Sequence, residues 1–151
     1  MEHQHVLIDK QSPDAYRAAV GVATAVNAAA KAAGLARTLV ELINVRVSLI
    51  NGCATCLEVH YRKAAEAGVT PKQLATVSQW RETELFDARE QAALRLAEIT
   101  TTLPDHDTSE REYARARAVL TDDEISAVIW IAIAINAFNR VSILSRHPVK
   151  P

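Results

Sequence analysis

The chain lacks most of the signals that would assign it to an unusual class. Its formal net charge is -1, and no run of basic residues appears, so it has no electrostatic footprint for nucleic acid and none for an anionic membrane. The amino terminus, MEHQHVLIDK, has no positive start followed by an apolar stretch, which excludes a secretory signal there. The most apolar run, Ala127 to Ile135, falls well short of the roughly 20 residues needed to cross a bilayer. Repeats, low-complexity tracts and Gly/Ser linkers are missing. Strand signals are missing too, because Val and Ile recur at helical rather than alternating spacing. What remains is a chain of 151 residues, read as one domain over 1–151, all-α and cytoplasmic.

Cysteine is the scarcest informative residue. Only two are present, and both lie in NGCATCLEVH, residues 51–60. A permanent structural disulfide is out of place in a reducing cytosol, where a close pair of cysteines binds metal or cycles chemically. No second pair exists to complete a four-cysteine metal site. The other histidines, His3, His5, His106 and His147, fall in terminal or loop segments.

The helical punctuation predicts about seven helices. Ser12-Pro13 opens the first as N-cap and first helical residue, and Gly34 closes it. The second runs from Thr38 to about Ile50 and the third from about Cys53 to Ala67, joined at Asn51-Gly52. Thr70-Pro71 opens a short fourth. Asp87 opens a fifth that Pro104 ends. Asp107 to Ser109 cap a sixth, and Thr121 with Glu124 forms a capping box for the seventh. That last helix is apolar on nearly all sides, which predicts burial or a subunit interface.

This places the CxxC at the start of the third helix, where unpaired backbone N–H groups and the helix dipole favour a thiolate. The three-residue spacing of Cys53 and Cys56 brings both sulfurs to one face, so a disulfide can close and reopen without unfolding the helix. His60 lies one turn further along that face. If the second and third helices form an antiparallel hairpin, Glu41 lies roughly 16 Å below the turn, His60 about 12 Å and Cys56 about 6 Å. A carboxylate behind an imidazole behind a thiol is what a proton relay needs. Each piece also has a plainer role: Glu41 as a capping-box partner of Thr38, His60 as a surface histidine, the CxxC as half of a zinc site with His60.

Elsewhere, Asn136, Asn139 and Arg140 interrupt the apolar last helix. They either line a pocket or satisfy hydrogen bonds at a subunit interface. Trp80 and Trp130 are the only tryptophans. Either can wall a pocket near the thiols, although core packing is the more ordinary role.

The stretch ELINVRVSLINGCATCLEVHYRKAAEAG, with its E-x11-C-x2-C-x3-H spacing, resembles the core of the AhpD-like branch of the carboxymuconolactone decarboxylase superfamily. QWRETELFDAREQAALRLAEITT and IAIAINAFNRVSI resemble the segments that follow it, so the resemblance covers most of residues 35 to 146. It implies an AhpD-like helical bundle, assembly into trimers or hexamers, and thiol-dependent reduction of a small hydroperoxide at the expense of an external dithiol. No cofactor and no bound metal are expected. By position, Cys56 matches the peroxide-attacking cysteine, Cys53 the more exposed resolving cysteine, and His60 and Glu41 the proton relay. The decarboxylase branch lacks this CxxC. One position departs from the pattern: AhpD itself has histidine just before the second cysteine, where this chain has Thr55. A threonine hydroxyl relays a proton but is no base near neutral pH. The competing readings are a redox-sensing or metal-binding CxxC module without useful turnover and an enzyme of the same fold acting on another substrate.

Overall fold

A computed structural model describes residues 4–151, so His3 lies outside the described residues. Within them the chain forms eight α-helices, one 3-10 turn and no strand. A four-residue helix, α1 (Ile8–Gln11), precedes the seven that punctuation predicts. These are α2 (Pro13–Ala32), α3 (Arg37–Asn51), α4 (Ala54–Ala67), α5 (Pro71–Thr76), α6 (Ala88–Thr102), α7 (His106–Arg117) and α8 (Asp122–Ser145). The 3-10 turn, Val77–Glu82, continues from α5 with a kink at Gln79.

Caps explain most boundaries. Thr70 with Gln73, Asp87 with Glu90 and Thr121 with Glu124 form reciprocal capping boxes for α5, α6 and α8, each satisfying two otherwise orphaned backbone donors. Two expected caps move. Asp105, rather than Asp107 to Ser109, caps α7 through the Thr108 N–H. Ala36 rather than Thr38 precedes α3, which starts at Arg37, and this frees Glu41 from any capping role.

Nine of the fifteen residues of α3 are buried, which makes it the central helix. It packs against α4, α6 and α8, and its two faces feed separate apolar clusters. One joins Ile43 and Val47 to Cys53, Cys56, Leu96, Val128 and Ile135. The other joins Leu42 and Val45 to Val77, Trp80, Phe86 and Leu94. Each fully buried Leu, Ile or Val contributes about 1.5–3 kcal/mol of transfer free energy, so the cysteines sit on one of the firmest parts of the molecule.

By length and composition α8 could cross a membrane, with a mean hydropathy of 1.8 over its most apolar window. The unbroken run Ala127–Ile135 understates it, because Ile125, Ala137, Phe138 and Val141 extend the apolar stretch with Arg140 as the one charge between them. In the fold the helix packs against α2, α3 and α6. The outer faces of α2 and α8 leave Val20, Val22, Trp130 and Ile133 exposed. Trp130 is thus a surface residue, not the core residue its chemistry suggests, since its part of α8 borders a shallow cleft with Val22 and Ala25 of α2.

Candidate functional site

The site begins at the turn between α3 and α4. Gly52 takes φ 70°, a left-handed conformation that costs a side-chain-bearing residue about 1–2 kcal/mol. That conformation reverses the chain, and the Cys53 N–H then returns to the Ser48 carbonyl at 3.0 Å. α3 and α4 therefore run antiparallel and pack along their length, as the hairpin geometry requires.

A buried polar cluster locks the turn from the α8 side. Asn51 donates to the side-chain oxygens of Asn136 at 2.8 Å and Asn139 at 3.0 Å. Asn139, fully buried, donates to Ser48 Oγ at 3.1 Å. Asn136 reaches Thr101 at 3.0 Å, and Arg140 donates to the Asn136 side-chain oxygen at 2.9 Å. These three α8 residues line neither the cavity at His60 nor the cleft at Cys53, and Asn139 is satisfied wholly inside the chain. Their hydrogen bonds hold the loop that presents Cys53.

Cys53 occupies the N-cap of α4, its sulfur accepting from the Cys56 N–H at 3.3 Å. The two sulfurs are bonded to each other, with their Cα atoms 5.4 Å apart. Both residues are buried, Cys53 at 2 % exposure and Cys56 at 8 %. The resemblance implies the more exposed position for Cys53. Here the carboxy-terminal segment covers it instead. Cys56 Sγ lies 3.9 Å from the Phe138 carbonyl, an acceptor for the thiol once reduced.

Behind the sulfurs, His60 Nδ1 and Glu41 Oε2 are 2.7 Å apart. Glu41 is 2 % exposed. Arg37 bonds its other oxygen at 2.8 Å, and Asn44 donates to Oε2 at 3.4 Å. Burial pushes the Glu41 carboxyl up, but the hydrogen bond and charge of His60, with Arg37 and Asn44, outweigh it and hold the group below its ordinary value. An ionised Glu41 accepts only, so Nδ1 carries the His60 proton and Nε2 is left with the free lone pair. A cavity of about 80 Å³ opens beside this histidine, walled by Asn44, Val26, Ile131, Ile135 and Phe138. The site thus joins a disulfide-bonded cysteine pair, an oriented imidazole with a free nitrogen, and a small, mostly apolar chamber.

A separate cleft of about 180 Å³ is lined by Cys53, Thr55, Ser142, Arg146 and His147. Thr55 donates to the His147 carbonyl at 2.8 Å, so its hydroxyl anchors the segment after α8. Trp80 reaches neither cleft. It is 2 % exposed in the other apolar cluster, its indole N–H donates to Glu98 at 2.7 Å, and Arg81 and Arg95 lie over its ring. Among the described residues no three His, Cys, Asp or Glu side chains gather as a metal site. Asn44 could have been read from its helical spacing to Glu41. Asp9, Ser142 and His147 could not, because no local pattern links the two ends of the chain.

The model of the carboxymuconolactone decarboxylase family matches residues 13–98. An uncharacterised protein of Bacillus subtilis (strain 168), YdfG, is 34 % identical over 113 residues, 75 % of this chain and 77 % of that protein. Among solved structures, ATU0492 of Agrobacterium tumefaciens superposes with a TM-score of 0.85 at 28 % identity. The match covers 98 % of this chain and all of that one. It is a protein of unknown function assigned provisionally to AhpD-type antioxidant defence.

Proposed function

The chain belongs to the carboxymuconolactone decarboxylase family, and within it we propose a thiol-dependent peroxidase of the AhpD-like kind. The observation that carries this reading is the bonded Cys53–Cys56 pair backed by a histidine hydrogen-bonded to a buried glutamate. Lactone decarboxylation has no use for such a pair.

In the reduced protein His60 Nε2 takes the Cys56 proton. The thiolate attacks the distal oxygen of a hydroperoxide, the O–O bond breaks, and Cys56 becomes a sulfenic acid. The leaving alkoxide receives the proton from His60, whose positive charge Glu41 has stabilised. Cys53 then displaces the sulfenic hydroxyl as water and restores the disulfide. An external dithiol resets the pair. The chamber beside His60 suits a small alkyl hydroperoxide, its apolar walls taking the alkyl group and Asn44 the polar end. The exposed apolar surface where Val22 of α2 meets Trp130 of α8 is assigned to self-association as a trimer or hexamer.

The test is peroxide consumption with a dithiol reductant. Cys56→Ser abolishes it, and Cys53→Ser consumes one equivalent and stops as the sulfenic acid. Full activity in Cys56→Ser defeats the assignment. A redox sensor without turnover would give the disulfide but no sustained consumption.

A further inference from the structure

A second carboxylate–imidazole pair stands at the cleft that Cys53 lines. His147 Nε2 lies 3.0 Å from Asp9 Oδ1, and His147 Nδ1 lies 3.2 Å from Ser142 Oγ. Asp9 is 9 % exposed, and Lys10 Nζ stands 3.6 Å from its other oxygen. An ionised aspartate only accepts, so Nε2–H donates to Asp9, and Nδ1 keeps its lone pair toward the Ser142 hydroxyl. Ser142, His147 and Cys53 line one cleft, whereas His60 lines the other.

Holding an imidazole there takes four long-range ties. Besides the Asp9 contact, Thr55 fixes the His147 carbonyl at 2.8 Å, Ser145 Oγ accepts from the Ile8 N–H at 3.1 Å, and His5 bonds the Leu144 carbonyl at 2.9 Å. The charged and titratable groups around His147 are Asp9 and Lys10 from α1, His5, Cys53 at the start of α4, and Arg146 on its own segment. Two chain ends far apart in sequence thus converge on the cleft at Cys53, which His60 does not line.

We propose that His147, oriented by Asp9, is the general base of the reductive half-reaction, deprotonating the incoming thiol in the cleft over Cys53. This rests on the peroxidase reading only for its place in the cycle. A dithiol is a weak attacker below its own ionisation, because the thiolate is the nucleophile. His147 Nδ1 takes the proton of its first thiol, directly or through Ser142. The resulting thiolate attacks Cys53 Sγ, the Cys53–Cys56 bond breaks, and its electron pair leaves on Cys56 as thiolate. The second thiol then loses its proton to solvent and attacks the reductant's own sulfur in the mixed disulfide. Cys53 departs, taking back the proton held by His147, and the dithiol leaves as a disulfide. Two electrons pass from reductant to protein. Cys56 is left as the thiolate that the oxidative half needs, so separate clefts serve oxidant and reductant.

The experiment follows reduction of the oxidised full-length protein by dithiothreitol, without peroxide, across neutral and mildly alkaline pH. His147→Gln is expected to slow reduction about tenfold or more near neutrality. The slowing shrinks as pH rises and the dithiol ionises by itself. Its reduced form still reacts with one equivalent of hydroperoxide at the wild-type rate. In His147→Gly, added imidazole restores the rate, a recovery that mere closure of the cleft would not give. A rate–pH curve for His147→Gln parallel to wild type, or no imidazole rescue in a folded His147→Gly, overturns the proposal. Because no peroxide is used, failure here is distinct from failure of the peroxidase reading.

Discussion

Glu41 determines which nitrogen of His60 is free, and the reading of the site depends on that. Glu41→Gln keeps a hydrogen-bond acceptor but removes the charge that stabilises the imidazolium. It is expected to slow oxidation of the reduced protein by hydroperoxide about tenfold or more, as measured in a single turnover, with little effect on the fold. The Cys56 thiol is expected to ionise below about 8.5 and to move back toward that value in His60→Ala. Thiolate absorbance against pH reads this directly. The residues of this relay were legible because they recur at helical spacing on two adjacent helices. Trp80 and Trp130 were not, since composition cannot say which way a tryptophan points on its helix. For Asn136 and Asn139 the sequence did not show the partners Asn51, Ser48 and Thr101, which lie on other helices, while Arg140 bonds Asn136 one turn away on its own helix.

At the scale of elements, the α3–α4 hairpin positions the chemistry, and its turn is the sensitive point. A Cβ at Gly52 would meet no atom within 4 Å, so Gly52→Ala reports backbone conformation alone. Its expected cost is about 1–2 kcal/mol, read from denaturant midpoints. Asn139→Ala removes a buried partner shared by Asn51 and Ser48, at an expected cost of about 1–3 kcal/mol. Calorimetry checks the stability, and the rate of disulfide closure checks the positioning. If Asn139→Ala leaves both unchanged, the polar cluster does not hold the turn. The hairpin could be read from Asn51-Gly52 between two amphipathic runs. Exact starts could not, because Asp107 is as good a cap by type as Asp105 and Thr38 a better one than Ala36, which caps α3 without a side-chain bond.

For the whole molecule, buried carboxylates make acid the expected weakness. Burial alone would raise Glu41, Glu98 and Glu112. His60 and Arg37 at Glu41, Trp80 with Arg81 and Arg46 at Glu98, and Arg95 with Arg81 at Glu112 reverse this, and all three lie below the ordinary 4.5. A depressed folded value stabilises above the unfolded one and is lost as pH falls through it. Melting temperature is therefore expected to hold near neutrality and drop steeply below about pH 4.5, with Glu98→Gln flattening the drop. Self-association belongs to this scale as well: Trp130→Glu is expected to lower the mass measured by light scattering. The bundle was legible from periodicity and punctuation. The clasp between α1 and the carboxy-terminal segment was not, since contacts between the two ends of a chain leave no periodic trace.

The central claim is that Cys56 and Cys53 reduce a hydroperoxide by closing their disulfide. Reduced protein mixed anaerobically with one equivalent of an alkyl hydroperoxide tests it most directly, with alcohol and free thiols both quantified. The account predicts one alcohol formed for each Cys53–Cys56 pair lost, faster than free thiol in solution at the same pH. Thiols that persist beside unconsumed hydroperoxide would contradict it.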